Sequence, residues 1–170
     1  MALLTLTSLL GPFTSHAVGT EAVAILVSGV PLDADTKAAL MQPAKVSLVV
    51  DMLNEGAADT KINCVRLIRI LMVERGFRPE TVASLSLLVG VMRLIRDKRH
   101  PDGVAAGLEL LNSICAVHRS ARCMIVSIGA VPQQVELLPK LATECVEPAL
   151  NILDALYAIP EGRMALKDCP

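Results

Sequence analysis

The sequence predicts an all-α chain built from three-helix units that repeat every 42 to 43 residues, and three observations lead there. The first is composition: 53% of the 170 residues are hydrophobic but only 2% are aromatic, with two Phe, one Tyr and no Trp. A core of Leu, Ile, Val, Ala and Met suits helix packed on helix better than a sheet sandwich, which draws on aromatic and Thr-rich strands. The second is the recurrence of one apolar pattern at a fixed spacing, the mark of a repeat architecture. The third is punctuation by glycine and proline between the apolar segments, as at Gly129 and Pro132 in "VSIGAVPQQVELL".

From the N-terminus, "MALLTLTSLLGPFTSHAVGT" contains no Lys, Arg, Asp or Glu. It lacks the positive n-region of a secretory signal. Gly11, Pro12 and several hydroxyls interrupt it, so it reads as the interior of a helical domain rather than a membrane span. "AVAILVSG" follows, with Ala22, Val23, Ile25 and Leu26 at helical spacing and Gly29 as the break.

The same pattern returns as "CVRLIRIL" (64–71), "GLELLNSI" (107–114) and "ALNILDAL" (149–156). Each block opens on a small residue: Cys64, Gly107 or Ala149. Aliphatic residues follow at the next position and at the third, fourth and seventh: Val65, Leu67, Ile68 and Leu71, then Leu108, Leu110, Leu111 and Ile114, then Leu150, Ile152, Leu153 and Leu156. These are the third helices of the units and their expected core.

A second family of segments predicts the middle helices: Val50, Met52 and Leu53; Met92, Leu94 and Ile95; Val135, Leu137 and Leu138. A third, shorter element pairs a cation with an aliphatic three residues on, as in Lys37 and Leu40, Arg122 and Ile125, Arg163 and Leu166. It is blurred after Arg75, in "RGFRPETVASLSLL". Gly129 is expected to end a short first helix in the left-handed conformation. Pro132 is expected to open the middle helix at its first position, and "PEGR" (160–163) to mark the next unit boundary. The units are predicted as one domain over 1–170, running 33–75, 76–118 and 119–161, with partial units at about 1–32 and 162–170.

A period near 42 falls in the range of about 40 to 47 residues of armadillo and HEAT repeats. "GAVPQQVELL", "PALNILDALYAIPEGRMAL" and "RDKRHPDGVAAGLELLNSICAVHRSAR" resemble the armadillo-repeat region of plant U-box E3 ubiquitin ligases. The resemblance spans essentially the whole chain and implies an armadillo-type right-handed α-solenoid that engages protein substrates or regulators. In that family a separate U-box holds the ubiquitin-conjugating enzyme. No "CPI" opening or aromatic-rich groove sequence precedes the first repeat here, so the chain is expected to be a region truncated at both ends and not catalytic alone. The alternative is a free-standing armadillo adaptor without a U-box that regulates or competes with full-length ligases.

Net charge is −1, so no global basic field points to nucleic acid or an anionic membrane. Residues 61–122 nevertheless carry eleven Lys and Arg against five Asp and Glu. Cysteines 64, 115, 123, 145 and 169 are odd in number and form no CxxC, which indicates reduced thiols in a cytoplasmic or nuclear protein, with Cys64 and Cys115 in the core. His16, His100 and His118 lie at predicted turns or helix ends; His118 near Cys115 and Cys123 lacks a fourth ligand or an orienting Asn. No catalytic residue, cofactor site or metal site is predicted.

Two surfaces are candidates for partner binding. The outward positions of the third helices align as two rows, Arg66, Glu109 and Asn151, and Arg69, Asn112 and Asp154. Members of each row lie on adjacent helices, and a spacing of about 10 Å from helix to helix suits an extended peptide or a helix lying across them. The run "RLIRDKRHPDG" offers Arg93, Arg96, Lys98 and Arg99 to an acidic or phosphorylated partner, or else is a solvated helix end before a loop opened by Pro101 and Gly103. No aromatics interleave these cations, which argues against nucleic acid.

Overall fold

The computed structural model describes residues 2–11, 13–29 and 31–170. Pro12, in the expected break of the first segment, lies outside the described residues. Twelve α-helices and no strand occur among them. The chain divides into two compact units, one ending at Phe77 and one beginning at Arg78.

The first unit holds α1 (Ala2–Thr7), α2 (His16–Leu26), α3 (Ala34–Leu40), α4 (Pro43–Glu55) and α5 (Ala58–Leu71). The third helices α2 and α5 pack on each other, with α4 against both, and α1 packs on α3 and α2. Asp33 caps α3 by accepting the Thr36 N–H at 2.7 Å. The Lys45 ammonium donates to the carbonyls of Thr7 (2.9 Å) and Leu10 (3.1 Å), supplying donors where α1 ends. Gly29 follows the end of α2 at φ 107°, the break expected there.

The second unit runs through α6 (Pro79–Val82), α7 (Leu85–Arg96), α8 (Pro101–Val117), α9 (Arg122–Ser127), α10 (Ala130–Leu137), α11 (Thr143–Tyr157) and α12 (Pro160–Lys167). Short 3₁₀ turns at Arg119–Ala121 and Leu138–Lys140 lead into α9 and out of α10. α8 packs against α7 on one side and α11 on the other, and α12 covers parts of α9, α10 and α11. The blurred first element near Arg75 is the four-residue α6.

Repeat register decides burial. Val65, Leu67, Ile68 and Leu71 of α5 are buried, as are Leu108, Leu110, Leu111 and Ile114 of α8. Each fully buried aliphatic side chain contributes roughly 1.5–3 kcal/mol relative to exposure. The small residue opening each block permits close helix approach: a Cβ on Gly107 would stand 2.7 Å from Ile95 Cγ1. Two expected core positions differ. Leu150 is 48% exposed and Ile25 is 45% exposed, because no helix among the described residues covers those flanks of α11 and α2. Leu153 is half-buried.

The punctuation also needs two corrections. Gly129 adopts φ 90°, ψ 25°, the left-handed turn between α9 and α10 that the sequence required. Pro132, however, is the third residue of α10, which starts at Ala130. The missing N–H is still harmless, since the first four N–H groups of a helix have no intrahelical partner. Pro101 opens α8 rather than a loop, and Gly103 lies inside that helix against Leu94. Pro43, Pro79 and Pro160 likewise open α4, α6 and α12. α11 begins at Thr143, six residues before the block at Ala149, and runs through Pro148.

Candidate functional site: the α8–α11 groove

The recurring cation of the first helices turns out to act on neighbouring helix ends. Arg122 Nε donates to the carbonyl of Cys115 at 2.8 Å, and Arg163 Nη1 to that of Tyr157 at 3.1 Å. Each arginine thereby satisfies an orphan carbonyl in the last turn of the preceding third helix, where positive charge is also favoured. Lys37 instead donates to Glu74 Oε1 at 2.8 Å in a half-buried pair.

Arg122 also forms part of a groove. Asn112 from α8, Asn151, Asp154 and Ala155 from α11, Arg119 from the turn after α8 and Arg122 from the start of α9 line an open space of about 520 Å³. Three of the six row residues predicted from sequence thus meet in one place: Asn112, Asn151 and Asp154. Glu109 is exposed on α8 but does not line the groove. Arg66 and Arg69 are exposed on α5 in the first unit, whose own groove between α2 and α5 is lined by other residues.

That first groove, about 350 Å³, occupies the same repeat positions. Val27 corresponds to Asn112, Lys37 to Arg122, and Ile70 to Ala155, each two periods apart. Its chemistry differs. Leu26, Val27, Pro31, Leu32 and Ile70 make it apolar, and Glu74 occupies its one cation. The α8–α11 groove instead presents two amides, two guanidinium groups and a carboxylate. Arg119 and Asp154 are exposed and enter no ion pair among the described residues. A groove whose lining both donates and accepts hydrogen bonds and carries charges of both signs can bind peptide backbone and charged side chains together.

Of the basic run, Arg93 and Arg96 are exposed on α7, and Lys98 and Arg99 lie in the turn before α8. Arg99 is committed: its Nε and Nη2 donate to the two oxygens of Asp97 at 2.9 and 3.1 Å. That pairing holds the Asp97 carboxyl below the usual carboxylate range.

Sequence reasoning did not find the buried glutamines. Gln133 Nε2 donates to the Met92 carbonyl at 2.9 Å, tying α10 to α7, and Gln134 Nε2 donates to Gln133 Oε1 at 3.3 Å. No group of His, Cys, Asp and Glu among the described residues is arranged to hold a metal ion. No helix is long and apolar enough to cross a membrane among the described residues.

The thiols separate sharply. Burial pushes Cys64 up to about 12, and Cys115 up to about 12 against a smaller opposing pull from Arg122. Cys123 is exposed. Iodoacetamide at pH 8 is therefore expected to label Cys123 in the native chain while leaving Cys64 and Cys115 unmodified until denaturant is added, read by peptide mass spectrometry. Equal labelling of Cys115 and Cys123 would show that α8 opens. The raised thiol values also mean that stability is fully present below the unfolded thiol pKa, and is lost as pH rises from about 9 toward about 12.

A family model described as the plant U-box protein ARM repeat region matches residues 1–170. U-box domain-containing protein 75 of Oryza sativa subsp. japonica is 88% identical over 165 residues, 97% of this chain and 36% of that protein. U-box domain-containing proteins 30 and 31 of Arabidopsis thaliana are 63% and 60% identical over 163 residues, each covering 96% of this chain and 36% of the relative. The chain thus spans about a third of the length of these relatives. A crystal structure of an engineered protein aligns over 99% of this chain and 68% of its own length, with a TM-score of 0.72 at 20% identity, a likeness of fold alone.

Proposed function

Because the chain belongs to the ARM-repeat region family of plant U-box proteins, we propose that it serves as the partner-binding region of a U-box ubiquitin ligase, gripping a protein substrate or regulator in the α8–α11 groove. The observation that carries this reading is the meeting of Asn112, Asn151 and Asp154 with Arg119 and Arg122 in one open groove, where the equivalent α2–α5 groove is apolar. Asn amides offer a donor and an acceptor each to an extended backbone. Asp154 on α11 and the arginines at 119 and 122 select the charge order of the partner. Transfer chemistry belongs to a separate U-box in this reading, and the role of these residues is to hold the partner in place.

The test is quantitative capture from plant extract on the immobilised chain, followed by titration of each captured protein after purification. Arg119→Glu with Asp154→Arg, both exposed positions, is expected to weaken at least one partner by roughly tenfold or more. Glu161→Lys, an exposed change at a residue that does not line the groove, is expected to leave it unaltered. Identical affinities of all captured partners for wild type and the double variant would overturn the groove as the grip.

A further inference from the structure

A second cleft lies where the α7–α8 corner faces the corner leading from α10 into α11. It measures about 220 Å³, and Ile95, Val104, Leu137 and Leu141 make its walls aliphatic. Lys98 and Lys140 also line it. They stand one period apart in sequence, so each is the other's counterpart in the neighbouring repeat.

Both ammonium groups are exposed and neither is firmly neutralised. Lys98 forms no ion pair or hydrogen bond among the described residues, and both oxygens of the adjacent Asp97 are taken by Arg99. Lys140 reaches Glu136 only at 4.0 Å, with both side chains more than half exposed, a separation at which solvent and salt leave little attraction. Glu144 and Glu109 are close enough to the Cys145 thiol to raise its pKa, after burial as the main cause, but neither pairs with a lysine of the cleft. Pro101, the first residue of α8, and Ala142, the N-cap of α11, also line the space, and neither helix start has a side-chain cap. Asp102 and Glu144 in the first turns of these helices offset their positive ends, so the attraction for an anion rests on the two lysines.

The volume sets the size of the occupant. Small-molecule sites run to about 300–1,000 Å³, so this cleft admits one aliphatic side chain rather than a cofactor. We propose that it docks a short acidic segment of a partner protein, with an aliphatic side chain in the cleft and flanking carboxylates against Lys98 and Lys140. Charge complementarity around an apolar pocket favours this occupant, independently of the α8–α11 groove.

The probe is fluorescein-labelled Gly-Glu-Leu-Asp-Glu-Gly, with both ends blocked, titrated with the full chain by fluorescence anisotropy in low salt. Saturable binding below ~1 mM is expected. Lys98→Glu with Lys140→Glu, and separately Lys98→Ala with Lys140→Ala, should weaken it by roughly tenfold and about threefold, with the helical circular dichroism unchanged. A probe with serine in place of leucine should also bind roughly tenfold more weakly. Arg119→Glu with Asp154→Arg should bind the probe as wild type does, so failure here leaves the groove reading intact. Four results would each overturn the proposal: no saturable binding, equal affinity of the lysine variants, equal affinity of the serine probe, or complete displacement by inorganic phosphate with no dependence on leucine. The last would identify a simple anion site.

Discussion

Gly162→Ala is expected to destabilise the second unit by about 2–4 kcal/mol, near the top of the range for overpacking a tight contact. Gly162 is buried in the first turn of α12, and an added Cβ would fall 1.7 Å from the carbonyl oxygen of Leu156 and 2.5 Å from its carbonyl carbon. The obstructing atoms are backbone, so no side-chain rotation relieves the clash; α12 must move off α11. That movement disturbs the same corner that Arg163 fastens, through its bond to the Tyr157 carbonyl and its guanidinium 5.9 Å from the Tyr157 ring centroid. Urea unfolding followed by circular dichroism measures the loss. Glu161→Ala, exposed in the same helix, should stay within about 0.5 kcal/mol of wild type. Equal stability of the two variants would mean that α12 packs loosely enough on α11 to admit the added carbon.

Leu110→Ala should cost about 3–4 kcal/mol, since it removes a fully buried side chain from a close-packed interior that can collapse only in part. Leu110 sits on α8, the helix packed on both α7 and α11, so its cavity loosens the groove as well as the core. The informative contrast is Leu150→Ala. Both leucines belong to the apolar pattern of their blocks, yet Leu150 is 48% exposed, and its removal should change stability by less than about 0.5 kcal/mol. Similar losses at the two positions would restore Leu150 to the core and contradict the burial described above.

That contrast also shows how far the sequence could be read. Periodicity reports which residues share a helix face, which is why Leu67, Leu110 and Ile152 were legible as interior, but it does not report whether another helix covers that face. Gly129 was legible because a left-handed turn leaves few other choices of residue. Pro132 was misplaced by two positions because every N–H of a first helical turn is equally dispensable. Gln133 and Gln134 were missed because an amide reads as surface until a buried carbonyl, here that of Met92, is found beside it. At the candidate site, the stacking of third helices brings together Asn112, Asn151 and Asp154, three of the six row residues. Arg119 comes from the turn between helices, which no helical period describes. The signal for Arg122 was present in the recurring cation, and that for Lys98 and Lys140 in their common repeat position, but a period alone does not say which counterparts border a cavity.

The central claim is that a partner is held between α8 and α11, and hydrogen exchange of the chain with and without a purified captured partner tests it most directly. Protection should appear in the C-terminal halves of α8 and α11 that carry Asn112, Asn151 and Asp154 and in the turn at Arg119, and should be lost in the Arg119→Glu, Asp154→Arg variant. Protection confined to other helices, with these segments exchanging as in the free chain, would contradict the account.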